Sequence, residues 1–124
     1  MITRKRSKRK PTGGLYIPSR KKRKSEIARP PAFTTVGALK RKSERVLGGH
    51  FKMRVLQADI VNVFDGKKFM KAKIKTVSEN SANRNFIRQN IITKGAVVDT
   101  DHGMVKITSR PGQSGNLSGV LVKK

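Results

Sequence analysis

Cysteine and tryptophan are absent from this 124-residue chain, tyrosine occurs once, and only 7 residues are acidic. Without cysteine there is no disulfide framework, no thiolate zinc knuckle and no cysteine nucleophile, and a reducing cytosol is a compatible setting. Nowhere do eighteen apolar residues follow one another, which excludes a membrane-spanning helix by length. The positive N-terminus lacks the apolar run that a secretory signal requires, so the expectation is a soluble intracellular protein. Catalytic inventory is thin too. His50 and His102 lie far apart, no Gly-x-Ser-x-Gly elbow is found, and no phosphate-cradling Gly-x-x-x-x-Gly-Lys loop occurs. Asp99, Asp101 and His102 form the one enzyme-like cluster, because alternating carboxylates on a strand project to one side and suit a hard metal. Asp101-His102-Gly103 is also the composition of an ordinary hairpin tip, and that is the reading adopted.

What the chain has in excess is positive charge: 30 Lys and Arg residues, a formal net charge of +23 and a sequence pI of about 11.6. The densest part is the N-terminus, where Arg4, Lys5, Arg6, Lys8, Arg9 and Lys10 form one burst and Arg20, Lys21, Lys22, Arg23 and Lys24 a second, with no acid between Arg4 and Lys24. Like charges repel across a screening length of about 8 Å at physiological salt, so such a segment stays open until an anion neutralises it. Its partner must be a polyanion. Pro11, Pro18, Pro30 and Pro31 interrupt any helix, and Thr12-Gly13-Gly14 provides a bend or linker between the bursts whose backbone can approach phosphate closely. Residues 1–32 are therefore expected to form an extended basic arm, and residues 33–124 the single folded domain.

In that second region Phe33 to Gly37 is β-prone, and Lys40, Arg41, Lys42 and Arg45 lie in a charged link. From Lys52 to Phe64 apolar residues alternate but change phase, which predicts a bulge or sharp coil of the kind that bends a strand around a barrel corner. Asp65-Gly66 predicts a hairpin turn. The return strand, Phe69 to Val77, places Met70, Ala72 and Ile74 on one face and Lys71, Lys73 and Lys75 on the other. One short helix is expected near 82–89, capped by Asn83, with Arg84 and Arg88 stacked at i, i+4. Four short strands follow, at Ile91 to Thr93, Ala96 to Thr100, Met104 to Thr108 and Gly119 to Val122, with Arg110 to Asn116 as a connection. Short, regularly spaced strands and many glycines predict a mainly β fold: a small closed β-barrel with one short helix.

Six aromatic residues are few for a domain of this size. Burial preference assigns Phe64, Phe69 and Phe86 to the core. Tyr16, set in the arm, is the ring expected to meet nucleic acid by stacking.

Several runs resemble a known family. Arg6-Ser7-Lys8-Arg9-Lys10-Pro11-Thr12-Gly13-Gly14, Arg20-Lys21-Lys22-Arg23-Lys24, Thr35-Val36-Gly37, the long block Asn80 to Ala96 and Thr108-Ser109-Arg110-Pro111-Gly112-Gln113 are similar to the eS-eight family of small-subunit ribosomal proteins, and the length resembles its archaeal form. Ser81 stands where the family has proline, and Phe86 where it has tyrosine. The resemblance implies a non-catalytic constituent of the cytoplasmic small ribosomal subunit, without cofactor or metal. Its implied partners are small-subunit ribosomal RNA and neighbouring ribosomal proteins, with no membrane, no small-molecule substrate and no homo-oligomer. It also implies RNA-facing roles for Thr12, Gly13, Gly14 and their flanking cations, for the Arg20 to Lys24 burst, for Asn83, Arg84, Asn85, Arg88, Asn90, Thr93 and Lys94, and for Arg110. The residues themselves add the Lys40 to Arg45 cations and the Lys71, Lys73, Lys75 row. Charge alone would equally suit a DNA-compacting or regulatory protein, and the Asp99 cluster a metal-dependent nuclease. These are the rival readings.

Overall fold

The computed structural model describes residues 9–17, 20–21 and 23–122. The chain divides into two compact units, Met1–Pro31 and Ala32–Lys124.

Among the described residues, the second unit is built from nine strands. A four-stranded sheet in the order β2-β3-β1-β6 contains β1 (Thr34–Val36), β2 (Lys40–Arg45), β3 (Phe51–Ala58) and β6 (Ile91–Ile92). The remaining strands, β4 (Ile60–Phe64), β5 (Phe69–Glu79), β7 (Val97–Thr100), β8 (Gly103–Ile107) and β9 (Ser118–Leu121), close into a five-stranded barrel. All its pairings are antiparallel except β4 with β9, which run parallel and seal the ring.

The phase change expected between Lys52 and Phe64 is the point where the chain passes from sheet to barrel. Val55 and Ala58 are buried on β3, Val61 and Val63 on β4, and Asp59 alone separates the strands. The Asp59 carbonyl accepts from the Ile74 amide at 2.8 Å, tying this corner to β5. A second irregularity lies in β5. Its pairing with β7 shifts register between Ile74 and Thr76 and again between Val77 and Glu79, so Lys75 and Ser78 are extra residues. Such bulges raise the local twist that a closed barrel needs. They also explain how Ile74 and Val77, three apart, are both buried.

One continuous core joins sheet and barrel. Val55, Ala58 and Ile92 pack with Val61, Val63, Ile74, Val98, Val105, Ile107 and Leu117. Each buried Val, Ile or Leu contributes about 1.5–3 kcal/mol over exposure. β-Branched residues dominate because they pack well on a pleated surface. Gly119 faces inward on β9, where a Cβ would lie 2.5 Å from Val105 Cγ1 and 2.8 Å from the Lys106 carbonyl oxygen. Only glycine lets β8 and β9 approach this closely.

Four expectations need correction. The charged segment Lys40 to Arg45 is not a link but strand β2, paired antiparallel with β3. It lies at the edge of its sheet and carries no apolar residue, the composition that discourages edge-to-edge pairing with other chains. The expected helix near 82–89 is a single turn, α1 (Asn85–Arg88). A second turn, α2 (Pro111–Ser114), lies within the expected connection from Arg110 to Asn116; Pro111 opens it and Gly115, in the left-handed region at φ 72°, ends it. Finally, Phe69 is not a core residue: it is 74% exposed, while Phe64 and Phe86 are only part-buried. The barrel interior is filled by aliphatic side chains instead.

Candidate nucleic-acid interface

Arg4, Lys5, Arg6, Lys8 and Lys22 of the predicted arm lie outside the described residues. Between Arg9 and Tyr16 the chain turns back on itself. Gly13 N–H donates to the Lys10 carbonyl at 3.0 Å, Lys10 N–H to the Gly14 carbonyl at 2.8 Å, and Arg9 and Leu15 form an isolated antiparallel bridge. Pro11 sets φ for the turn and Gly13 takes φ 85°, which a side chain rarely permits. Arg9 Nη1 donates to the Gly13 carbonyl at 2.8 Å, and Lys10 Nζ stands 5.8 Å from the Tyr16 ring centroid. Thr12 and Gly14 are exposed at this turn, and the Tyr16 ring is half-buried.

In the second burst, Arg20 is not an open cation. Its guanidinium forks onto Glu26 at 2.9 and 2.7 Å, and Glu26 also accepts from the Arg23 amide at 2.9 Å, closing a 3₁₀ turn over Lys24–Glu26. The Glu26 hydrogen bond, and then its charge, hold the Arg20 guanidinium above its ordinary pKa. Lys21, Arg23 and Lys24 remain exposed.

In the folded unit, strand alternation places Lys71 and Lys73 on the outer face of β5, with Ala72 and Ile74 buried beneath. Among the described residues, neither lysine has an ion-pair partner. Lys75 does: its Nζ lies 3.6 Å from Asp101 Oδ1. That contact also gives Asp101 a role other than metal ligation, and the Thr100 hydroxyl donates to the Gly103 carbonyl at 2.8 Å, so Asp101-His102 forms the tip of the β7–β8 hairpin. Among the described residues, no group of three His, Asp or Glu side chains converges.

Two cation groups distant in sequence meet here. Arg41 on β2 and Lys71 on β5 line one cleft of about 260 Å³, together with Leu39, Ile60, Asn62 and Asn116. Arg41 Nη2 donates to Asn116 Oδ1 at 3.0 Å, holding the guanidinium at the rim. Alternation puts Lys42 on the other face of β2, where its Nζ is 3.8 Å from Glu44; Glu44 also pairs with Arg54 at 3.0 Å, both side chains under 20% exposed. Lys40 and Arg45, at the two ends of β2, are exposed. The cleft contains Asn62 and Asn116, which sequence reading did not single out, because only the closing of β4 onto β5 and β9 brings them beside Lys71.

The block from Asn83 to Lys94 is used in two ways. Asn90 takes the left-handed conformation at φ 50° and its Oδ1 accepts the Val77 amide at 3.3 Å; the Thr93 hydroxyl donates to Asn80 Oδ1 at 3.0 Å. These side chains hold the loop against β5. Asn83 Oδ1 accepts the Asn85 amide at 2.9 Å, an Asx turn that starts α1. Arg84, Asn85, Arg88 and Lys94 are exposed around that scaffold. Arg84 and Lys106 line a second depression, of about 670 Å³. Arg110 is exposed just before α2, its carbonyl accepting from the Ser114 amide and hydroxyl, both at 3.0 Å.

A single chemistry runs through the sites of the second unit: exposed cations, flanked by amides and hydroxyls, carried on an aliphatic core. The family model for ribosomal protein S8e matches residues 3–122. A small ribosomal subunit protein eS8 of Methanocorpusculum labreanum is 46% identical over 125 residues, covering 99% of this chain and 100% of that protein. The protein of the same name from Nanoarchaeum equitans is 52% identical over 114 residues, 90% of each chain, and that from Methanosarcina barkeri 46% identical over 119. The chain belongs to the ribosomal protein S8e family.

Proposed function

We propose that this protein is a structural constituent of the cytoplasmic small ribosomal subunit, where it binds and stabilises ribosomal RNA through its basic arm and through the cationic surface of the barrel unit. Family membership over residues 3–122 carries the ribosomal assignment. The distribution of charge supports the RNA-binding part. Cations that fix position on phosphates are spread over the Lys71, Lys73 face, the Arg41 rim, the α1 surface and the arm, with few acids to oppose them. Double-helical RNA hides its base edges in a deep groove, so contacts from these residues read mainly shape, phosphates and 2′-hydroxyls. Each arm residue that becomes fixed on RNA costs about 1–2 kcal/mol of conformational entropy, which phosphate contacts offset. The chain is not an enzyme: the family is one of structural ribosomal proteins. That membership turns the reading away from the DNA-compacting and nuclease alternatives. The partners are ribosomal RNA and adjacent ribosomal proteins, and the protein acts as a single copy rather than as a homo-oligomer.

Sedimentation tests this reading. The protein should travel with small subunits in moderate salt, and leave them after ribonuclease but not deoxyribonuclease treatment. Release by deoxyribonuclease alone would instead identify a chromatin protein.

A further inference from the structure

The outer face of the β4–β5 hairpin combines two features that ordinarily exclude each other. Phe69 leaves 74% of its surface exposed, on the same side of β5 as Lys71 and Lys73. Across the hairpin, Phe64 pairs with Phe69 and Asn62 with Lys71. The two rings lie 4.9 Å apart between centroids at 39°. Such a cross-strand pair steadies a hairpin beside its turn. Phe64, half-buried, supplies that support, while the open ring of Phe69 remains available. Lys67 and Lys68 are exposed at the hairpin tip, so the ring has cations on both sides along the strand.

An open ring between cations matches a ligand with a flat π-face and closely spaced negative charges. An apolar protein surface would satisfy the ring but bury the lysines without partners, at a desolvation cost. A duplex would satisfy the lysines but keep its base faces within its own stack. Unpaired nucleotides satisfy both. We propose that the outer face of the β4–β5 hairpin is a platform for unpaired RNA. One base stacks on Phe69, Lys71 and Lys73 hold flanking phosphates, and the Asn62 amide reaches a base edge. This rests on the ribosomal RNA reading above and adds to it a single-stranded site separate from the shape-reading surfaces.

Tryptophan is absent from the chain, so Phe69→Trp introduces a sole indole reporter. The full-length variant is titrated with oligouridylate and with a blunt-ended RNA duplex of the same charge. Quenching by the single strand and not by the duplex is the expected result. Phe69→Ala, and Phe69→Leu, which preserves the apolar pair with Phe64, should each weaken oligouridylate binding roughly 5- to 150-fold, the range for one stacked base, and leave duplex binding in place. Unchanged single-strand affinity in the Leu variant, or equal loss on both RNAs with the fold intact by circular dichroism, overturns the platform while sparing the general RNA reading. Failure of the native protein to bind either RNA overturns both.

Discussion

Replacing Lys71, Lys73 and Lys75 by Gln will lower the salt dependence of ribosomal RNA binding by about two contacts rather than three. Each phosphate neutralised by a lysine adds a slope of about 0.7 to the logarithmic dependence of affinity on salt, the value for single strands. Lys71 and Lys73 face outward without an ion-pair partner among the described residues. Lys75 sits at a bulge with Asp101 at 3.6 Å, so part of its charge is already answered. Two lost contacts change the slope by about 1.4, so over a fourfold rise in salt the native protein loses roughly sevenfold more affinity than the variant. The fold should hold, because exposed substitutions away from special features stay within about 0.5 kcal/mol. Filter binding across a salt series on a small-subunit RNA fragment measures the slope, with urea unfolding as the control. Lys75→Gln alone should move the slope least of the three single variants. An unchanged slope in the triple variant, or one governed by Lys75, would refute the assignment of this face; loss of folding would show that the face is packed.

Asp101→Asn, which keeps the turn chemistry of the β7–β8 tip, should release Lys75 and steepen the same slope by up to about one contact; no metal-dependent RNA cleavage is expected from either form. Gly119→Ala forces a methyl against Val105 and the Lys106 carbonyl. Overpacking of this kind costs about 1–3 kcal/mol, so thermal unfolding should drop by about 5–20 °C. Asn90→Ala loses the acceptor for the Val77 amide and leaves a Cβ residue at φ 50°; denaturant unfolding should show a loss of about 1–3 kcal/mol, with Asn90→Gly recovering part of it.

Much of the barrel was legible because its signals are local. Alternation over Phe69 to Val77, the Asp65-Gly66 turn and the short strands after Ile91 each follow from a few neighbouring residues. Strand β2 was not legible: Lys40 to Arg45 has no apolar residue to alternate, and its strand state comes from its partner β3. The signals for α2 were present, Pro111 at its first position and Gly115 beyond its end, but a single turn is too short for periodicity to mark. Parity also placed Phe69 beside Lys71 and Lys73, and burial preference overrode it. The cleft that joins Arg41, Asn62, Lys71 and Asn116 depends on the pairing of β2 with β3 and on the parallel pairing of β4 with β9, which links distant segments. In the basic region, Glu26 lies just past the second burst, and only the turn over Lys24–Glu26 brings it onto Arg20.

A cryo-EM map of the native small subunit tests the central claim most directly. The account predicts this chain seated on ribosomal RNA, with Lys71 and Lys73 within salt-bridge distance of phosphates and the residue 4–24 segment threaded among RNA strands. A chain bound only through other proteins, with both its basic segment and its lysine face turned to solvent, would contradict it.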